Sequence, residues 1–215
     1  MAPDPVIRYP LGLEEYYTVW TPNGGDEPFL IRPIRPADAI QHDGFFRRLT
    51  PEDIRFRFFA AVRELTPAQL AKFTQPDYER DMAFIAVQET TGQTVGVARL
   101  ARSADPFVAE FAVVVQSDLR GRGLATHLMQ RLLEWAPLHG IREVVGEVLA
   151  DNRVMLDFIR QRCRSRACRY GTELALSPAT TKSSTALAYS ACRATMGGAL
   201  IVDLTGLEKS GFMFK

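Results

Sequence analysis

Apolar positions along the chain change period several times, and the changes mark out its elements. Residues 83–88 (AFIAVQ) and 94–100 (TVGVARL) are short runs rich in β-branched and aromatic side chains, the pattern of well-covered strands. Thr90-Thr91-Gly92-Gln93 between them predicts a hairpin loop. Residues 29–34 predict an earlier strand and 107–115 a later one. After the later strand the period becomes helical: Leu124, Leu128, Leu132 and Leu133, with Met129 and Trp135, share one face, and Gly140 is placed to end the helix. Pro36-Ala37-Asp38 opens a helix that carries Phe45, Phe46 and Leu49. Thr66, with Pro67 behind it and Gln69 three residues on, has capping-box spacing. Residues 144–149 predict a further strand, and Asp151-Asn152 begins a last helix through Met155, Leu156 and Ile159. This order predicts a mixed, mostly antiparallel sheet flanked by helices, of the α+β class.

Composition narrows the function classes. At 215 residues the chain is long enough for one α/β-containing domain plus end segments. A formal net charge of +1 gives no general drive toward nucleic acid or a membrane surface. No apolar run reaches transmembrane length, and Met1-Ala2-Pro3-Asp4-Pro5 lacks a secretory pattern, so the expectation is a cytoplasmic protein. The three cysteines, Cys163, Cys168 and Cys192, are odd in number and badly spaced for a disulfide framework or a metal site, and no metal is expected. Three segments are expected: an extension over 1–28 that ends in the turn signal Thr21-Pro22-Asn23-Gly24-Gly25-Asp26, a domain over 29–160, and an atypical tail over 161–215. The tail carries a basic run, 162–169, and a Ser/Thr-rich stretch, 178–184, and reads as an insertion or a foreign frame, with 199–202 able to supply a strand.

Arg120-Gly121-Arg122-Gly123-Leu124-Ala125 joins the strand over 107–115 to the helix that follows. Such a turn exposes several backbone N–H groups at a helix N-terminus, where the dipole adds partial positive charge, and the geometry favours a phosphate. Gly121 and Gly123 permit close backbone approach. The spacing fits neither a P-loop nor the dinucleotide fingerprint. Arg120 and Arg122 are either solvated loop charges or phosphate contacts, the second being favoured beside such a turn.

Arg-x-x-Gly-x-Ala in this position resembles the acetyl-CoA pyrophosphate loop of the GNAT superfamily of N-acetyltransferases. Four blocks together resemble the acetyltransferase domain of bacterial Pat-type protein-lysine acetyltransferases: Ile31-Arg32-Pro33-Ile34-Arg35-Pro36-Ala37-Asp38, Arg55-Phe56-Arg57-Phe58-Phe59, Ala109-Glu110-Phe111-Ala112-Val113 and the loop from Arg120 to Ala125. The likeness covers roughly residues 8–160, most of a domain length. It implies a GNAT-like fold and acetyl-CoA as cosubstrate. The implied partner is an acceptor protein with a reactive lysine, an acyl-CoA synthetase being one candidate. In that family a Gly-Phe pair and two closing strands follow the last helix directly, whereas here the pair is Gly211-Phe212.

Moving an acetyl group to an amine requires removal of a proton from a group that titrates near about 10.4 and stabilisation of an oxyanion. Glu110 is the candidate base: its neighbours Phe107, Val108 and Phe111 suggest apolar surroundings, which raise a carboxylate's pKa toward the working range. On the residues alone, a solvated glutamate paired with an arginine is an equal reading, and the resemblance favours the base. The resemblance further implies that the strand carrying Val113 and Val115 splays from its neighbour, so that main-chain groups near Val113 hold the oxyanion and the pantetheine arm. Arg120, Gly121, Arg122, Gly123, Leu124, Ala125 and Thr126 are the expected pyrophosphate cradle. Asn152 is an N-cap in its own right, and the resemblance adds a bond to the pantetheine amides. Ile159 stands where many relatives have a tyrosine general acid, a departure shared with the Pat type. Two other classes stay open: a small-molecule amine acetyltransferase and a non-catalytic acetyl-CoA sensor.

Overall fold

The computed structural model describes residues 7–20, 25–149, 151–162, 168–170 and 200–203. The expected turn at Thr21 to Gly24, most of the basic run including Cys163, the Ser/Thr-rich stretch and Gly211-Phe212 lie outside the described residues. In chain order the elements are β1 (Glu15–Trp20), β2 (Asp26–Pro33), α1 (Ala39–Arg48), α2 (Pro51–Phe58), α3 (Pro67–Thr74), β3 (Met82–Gln88), β4 (Gln93–Arg102) and β5 (Val108–Val115). They continue with α4 (Leu124–Leu138), β6 (Glu143–Val145), α5 (Arg153–Arg162), β7 (Cys168–Tyr170) and β8 (Leu200–Asp203). The class is α+β, with a mixed, mostly antiparallel arrangement of strands flanked by helices.

The described residues fall into two compact units. The first comprises those up to Arg102 together with Phe111–His139, and the second Ser103–Glu110 together with those from Gly140 onward. In the first unit β1, β2, β3 and β4 are successive antiparallel neighbours. Both faces of β3 are covered, since Met82, Ala83, Phe84, Ile85 and Ala86 are all fully buried, which explains why this strand reads as an unbroken apolar run. On one face Ala83, Ile85 and Val97 pack with Ile34, Phe45, Phe46, Leu49 and Leu65. On the other, α4 is so close that a Cβ on Gly96 would lie 3.2 Å from Leu128 and 3.1 Å from Val115, so the strand carries glycine there.

Helix starts follow their local chemistry. Thr66 caps α3 as its spacing predicts, accepting from the Gln69 amide at 3.2 Å while the Gln69 side chain accepts from the Thr66 amide. An equivalent box, Thr50 with Asp53, starts α2, an element the apolar pattern does not mark. In the second unit β5 pairs in parallel with β6, Val108 to Glu110 against Glu143 to Val145, β6 pairs with β8, and β8 with β7. The strand expected over 144–149 is shorter than its apolar run, because only Glu143–Val145 pairs, although Val148 and Leu149 are buried.

His42, on α1, is 8 % exposed, and burial together with Arg99 and Arg57 pushes its imidazolium down to about 4. Because the folded pKa lies below the unfolded value of about 6.5, the unfolded chain binds the extra proton between the two. This contribution is complete above pH ~6.5 and disappears as pH falls toward the folded value, about 3 kcal/mol in all. Urea unfolding from neutral to acid pH should therefore show a loss of that order that is absent in His42→Phe.

Candidate active site

After Val115 the chain bonds back to the sheet, Gln116 N–H donating to the Val95 carbonyl at 2.9 Å, and a short 3-10 turn over Ser117–Leu119 buries Leu119. Gly121 and Gly123 then take positive φ, +73° and +85°, conformations that disfavour side chains. No atom lies within 4 Å of where a Cβ on Gly121 would stand, so the turn faces open space. Gly123 is the N-cap of α4 and supplies no side-chain cap, while first-turn amides of a helix have no intrahelical acceptor. The turn thus meets the requirements of an anion cradle: small, backbone-lined, and at the positive end of a 15-residue helix.

The loop's arginines are both engaged. Arg120 forms an ion pair with Asp53, whose side chain is 1 % exposed. The same carboxylate accepts from Ser117 Oγ at 3.0 Å and from the Thr50 amide at 3.1 Å. One buried group therefore caps α2, holds the 3-10 turn and fixes the arginine that opens the glycine turn. Arg122 lies 3.7 Å from Glu27 of β2. Both side chains face carboxylates, which leaves the backbone of residues 121–126 as the surface open to a phosphate.

β1 brings residues that the sequence pattern does not single out. Tyr17 stacks on His127 of α4, centroids 4.0 Å apart at 13°. His127 Nε2 is 2.7 Å from Glu15 Oε1, and Arg131 reaches the same oxygen at 3.0 Å. A Cβ on Gly123 would be 3.0 Å from the Tyr17 hydroxyl, so Tyr17 presents that hydroxyl to the turn itself. The available signal was the run Tyr16-Tyr17-Thr18-Val19-Trp20, β-branched and aromatic, directly before a turn.

In β5, buried and less buried residues alternate: Ala109, Phe111, Val113 and Val115 are buried, and Glu110 is exposed. The apolar surroundings expected for Glu110 are not found: the adjacent Ala109 and Phe111 point to the opposite face, and Val108, on the same face, is itself only half-buried. It stands opposite Val145 in the β5–β6 ladder. Asn152 caps α5, its Oδ1 accepting from the Met155 amide at 3.1 Å, and is 8 % exposed. The cradle residues come together in the first unit, and Glu110 and Asn152 belong to the second. Among the described residues no helix is long and apolar enough to cross a membrane.

A strand, a glycine turn without a capping side chain and a long helix follow one another directly, the local frame of an anion cradle. The GNAT acetyltransferase family model matches residues 49–163, and the chain belongs to that family. It is 35 % identical over 130 residues to Acetyltransferase PA5475 of Pseudomonas aeruginosa, a match covering 60 % of this chain and 70 % of that protein. It is 29 % identical over 130 residues to Acetyltransferase Pat of Mycolicibacterium smegmatis, covering 60 % of this chain and 39 % of that longer protein. The fold is similar to that of the GNAT domain of S. lividans PAT, with a TM-score of 0.68 at 23 % identity, covering 91 % of this chain and 98 % of that one.

Asp53→Ala should leave Arg120, Ser117 and the Thr50 amide without their shared acceptor. With the half-open position of Arg120 discounted, the expected loss is about 2 kcal/mol of unfolding free energy, read from denaturant midpoints at neutral pH.

Proposed function

We propose that the chain moves an acetyl group from acetyl-CoA to an amine, the ε-amine of a lysine in a protein acceptor. The observation that carries this reading is the cradle: two left-handed glycines at an uncapped helix start, held in place by a buried carboxylate and facing open space. The backbone amides of residues 121–126 are the groups that would hold the diphosphate, with the hydroxyl of Tyr17 beside Gly123. Arg120 serves the cradle as its anchor, and Arg122 contributes charge at its edge. Bound acetyl-CoA supplies an activated thioester, and the protein supplies position, proton transfer and oxyanion stabilisation.

Glu110 accepts the proton of the attacking amine, directly or through one water. Its exposure leaves the carboxylate open to an incoming acceptor. The β5–β6 ladder ends at Glu110, so the amides that follow, around Val113 and Val115, lie beyond those paired with β6 and are the groups we assign to the oxyanion and pantetheine arm. Asn152 holds the start of α5, and the role we assign to it is a further bond to the pantetheine amides. Similarity to a Pat protein supports the choice of a protein lysine over a small amine.

Glu110→Gln is expected to lower turnover by roughly 10²- to 10⁴-fold while acetyl-CoA affinity stays within error, measured by steady-state kinetics and calorimetry on one preparation. Full activity of that variant would remove Glu110 from the role. Gly123→Val should abolish acetyl-CoA binding in calorimetry, since a side chain there is strained and strikes the Tyr17 hydroxyl. Unchanged affinity would discard the cradle.

A further inference from the structure

Among the described residues β1 pairs with β2 and with no other strand. Which of its backbone groups are left over follows from Pro28. The Pro28 carbonyl accepts from the amide of Glu89, directly after β3, at 3.1 Å, so this residue turns its hydrogen-bonding side away from β1. Thr18 stands opposite Pro28, which has no amide hydrogen of its own. The two form a non-hydrogen-bonded pair, and the N–H and C=O of Thr18 point away from β2. Because such pairs alternate along an antiparallel ladder, the same holds for Tyr16 and Trp20.

Free edges in natural sheets are commonly blunted by lysine, proline or a bulge. β1 contains neither residue, and it pairs with β2 in one unbroken register. Its one charged residue, Glu15, is committed to His127 and Arg131 of α4. Glu15, Tyr17 and Val19 share one face, where Tyr17 stacks on α4. Tyr16, Thr18 and Trp20 share the other, and the two aromatic residues there are 70 % and 68 % exposed. A strand added along this edge would therefore use only groups that β2 and α4 leave untouched.

We propose that β1 is a self-association edge, on which two copies of this chain pair their β1 strands antiparallel about a two-fold axis at Thr18. An axis perpendicular to the sheet keeps the same face of both copies on one side, as an isologous contact requires. The register sets Thr18 opposite Thr18 and Tyr16 opposite Trp20 in both directions, each facing pair exchanging two backbone hydrogen bonds. Aromatic pairs and threonine pairs are among the cross-strand combinations that stabilise a sheet. Sliding by two residues would set an aromatic ring against Thr18 and lose both aromatic pairs. A second copy is the occupant because the edge is complementary to itself, and a net charge of +1 sets little repulsion between copies. Aromatic side chains carry about 150–250 Å² each, so the exposed rings of both copies and the two backbones bury on the order of 1,000 Å², the lower end for a specific interface.

Sedimentation equilibrium of the full chain over a concentration series reads the association directly. An interface of this size should give a reversible dimer with a dissociation constant on the order of 10 µM. Thr18→Lys and Thr18→Glu each place two like charges across the axis, and each should weaken the dimer about tenfold. Mixed in equal amounts, the two variants should associate at least as tightly as the parent chain, because lysine then faces glutamate. Thr18 is exposed, so both variants should match the parent in circular dichroism and in thermal unfolding of the dilute monomer, which separates a lost interface from a lost fold. A parent chain that stays monomeric throughout would leave the edge to a strand of another protein and overturn the proposal. A dimer that survives either charge alone, or a mixture no tighter than its components, would overturn it as well. None of these outcomes depends on acetyl transfer.

Discussion

One buried carboxylate fixes where the glycine turn can stand. Asp53 accepts from the amide that begins α2, from a serine in the 3-10 turn and from the arginine that opens the loop. These partners come from segments 64 and 67 residues further on as well as from three residues back. A carboxylate that is 1 % exposed would be costly if any of them were absent, so the three attachments reinforce one another. Glycines make the turn possible, and Asp53 makes it single-valued. Without such an anchor, two residues free to sample both signs of φ would spread over many conformations, and each incoming anion would have to order them.

The same interaction changes what the loop arginines are for. Read along the chain, two arginines beside a phosphate-binding turn suggest two cationic ligands. In space Arg120 is neutralised by Asp53 and Arg122 faces Glu27. On the proposed reading, recognition falls to amides at the start of α4, which are directional donors. Tyr17 and His127 complete the surroundings from β1 and the first turns of α4.

How far the sequence could be read depended on the range of the interactions concerned. β3, β4 and the capping box of α3 are written locally, in an unbroken apolar run or a three-residue spacing, and they are found within one or two residues of expectation. The glycine turn is equally local, and its backbone conformation follows from its composition. β1 was missed because five of its six residues are at least partly solvent-facing and its meaning comes from partners over 100 residues away, Glu15 with His127 among them. α2 was visible only as Thr50-Pro51-Glu52-Asp53, a cap signal with a weakly apolar helix behind it. The exposure of Glu110 shows a different limit: adjacency in a strand means opposition in space, so the buried Phe111 beside it says little about what the glutamate faces.

The two groups of arginines in the first unit can now be weighed against each other. At the glycine turn each guanidinium has been given a carboxylate, and the loop gains order. In a cavity among α1, α2 and α3 a buried arginine and a histidine with an unpaired nitrogen share a mostly aromatic wall. Arg120 is held by a carboxylate, and Arg99 by the Phe73 carbonyl and the face of its ring.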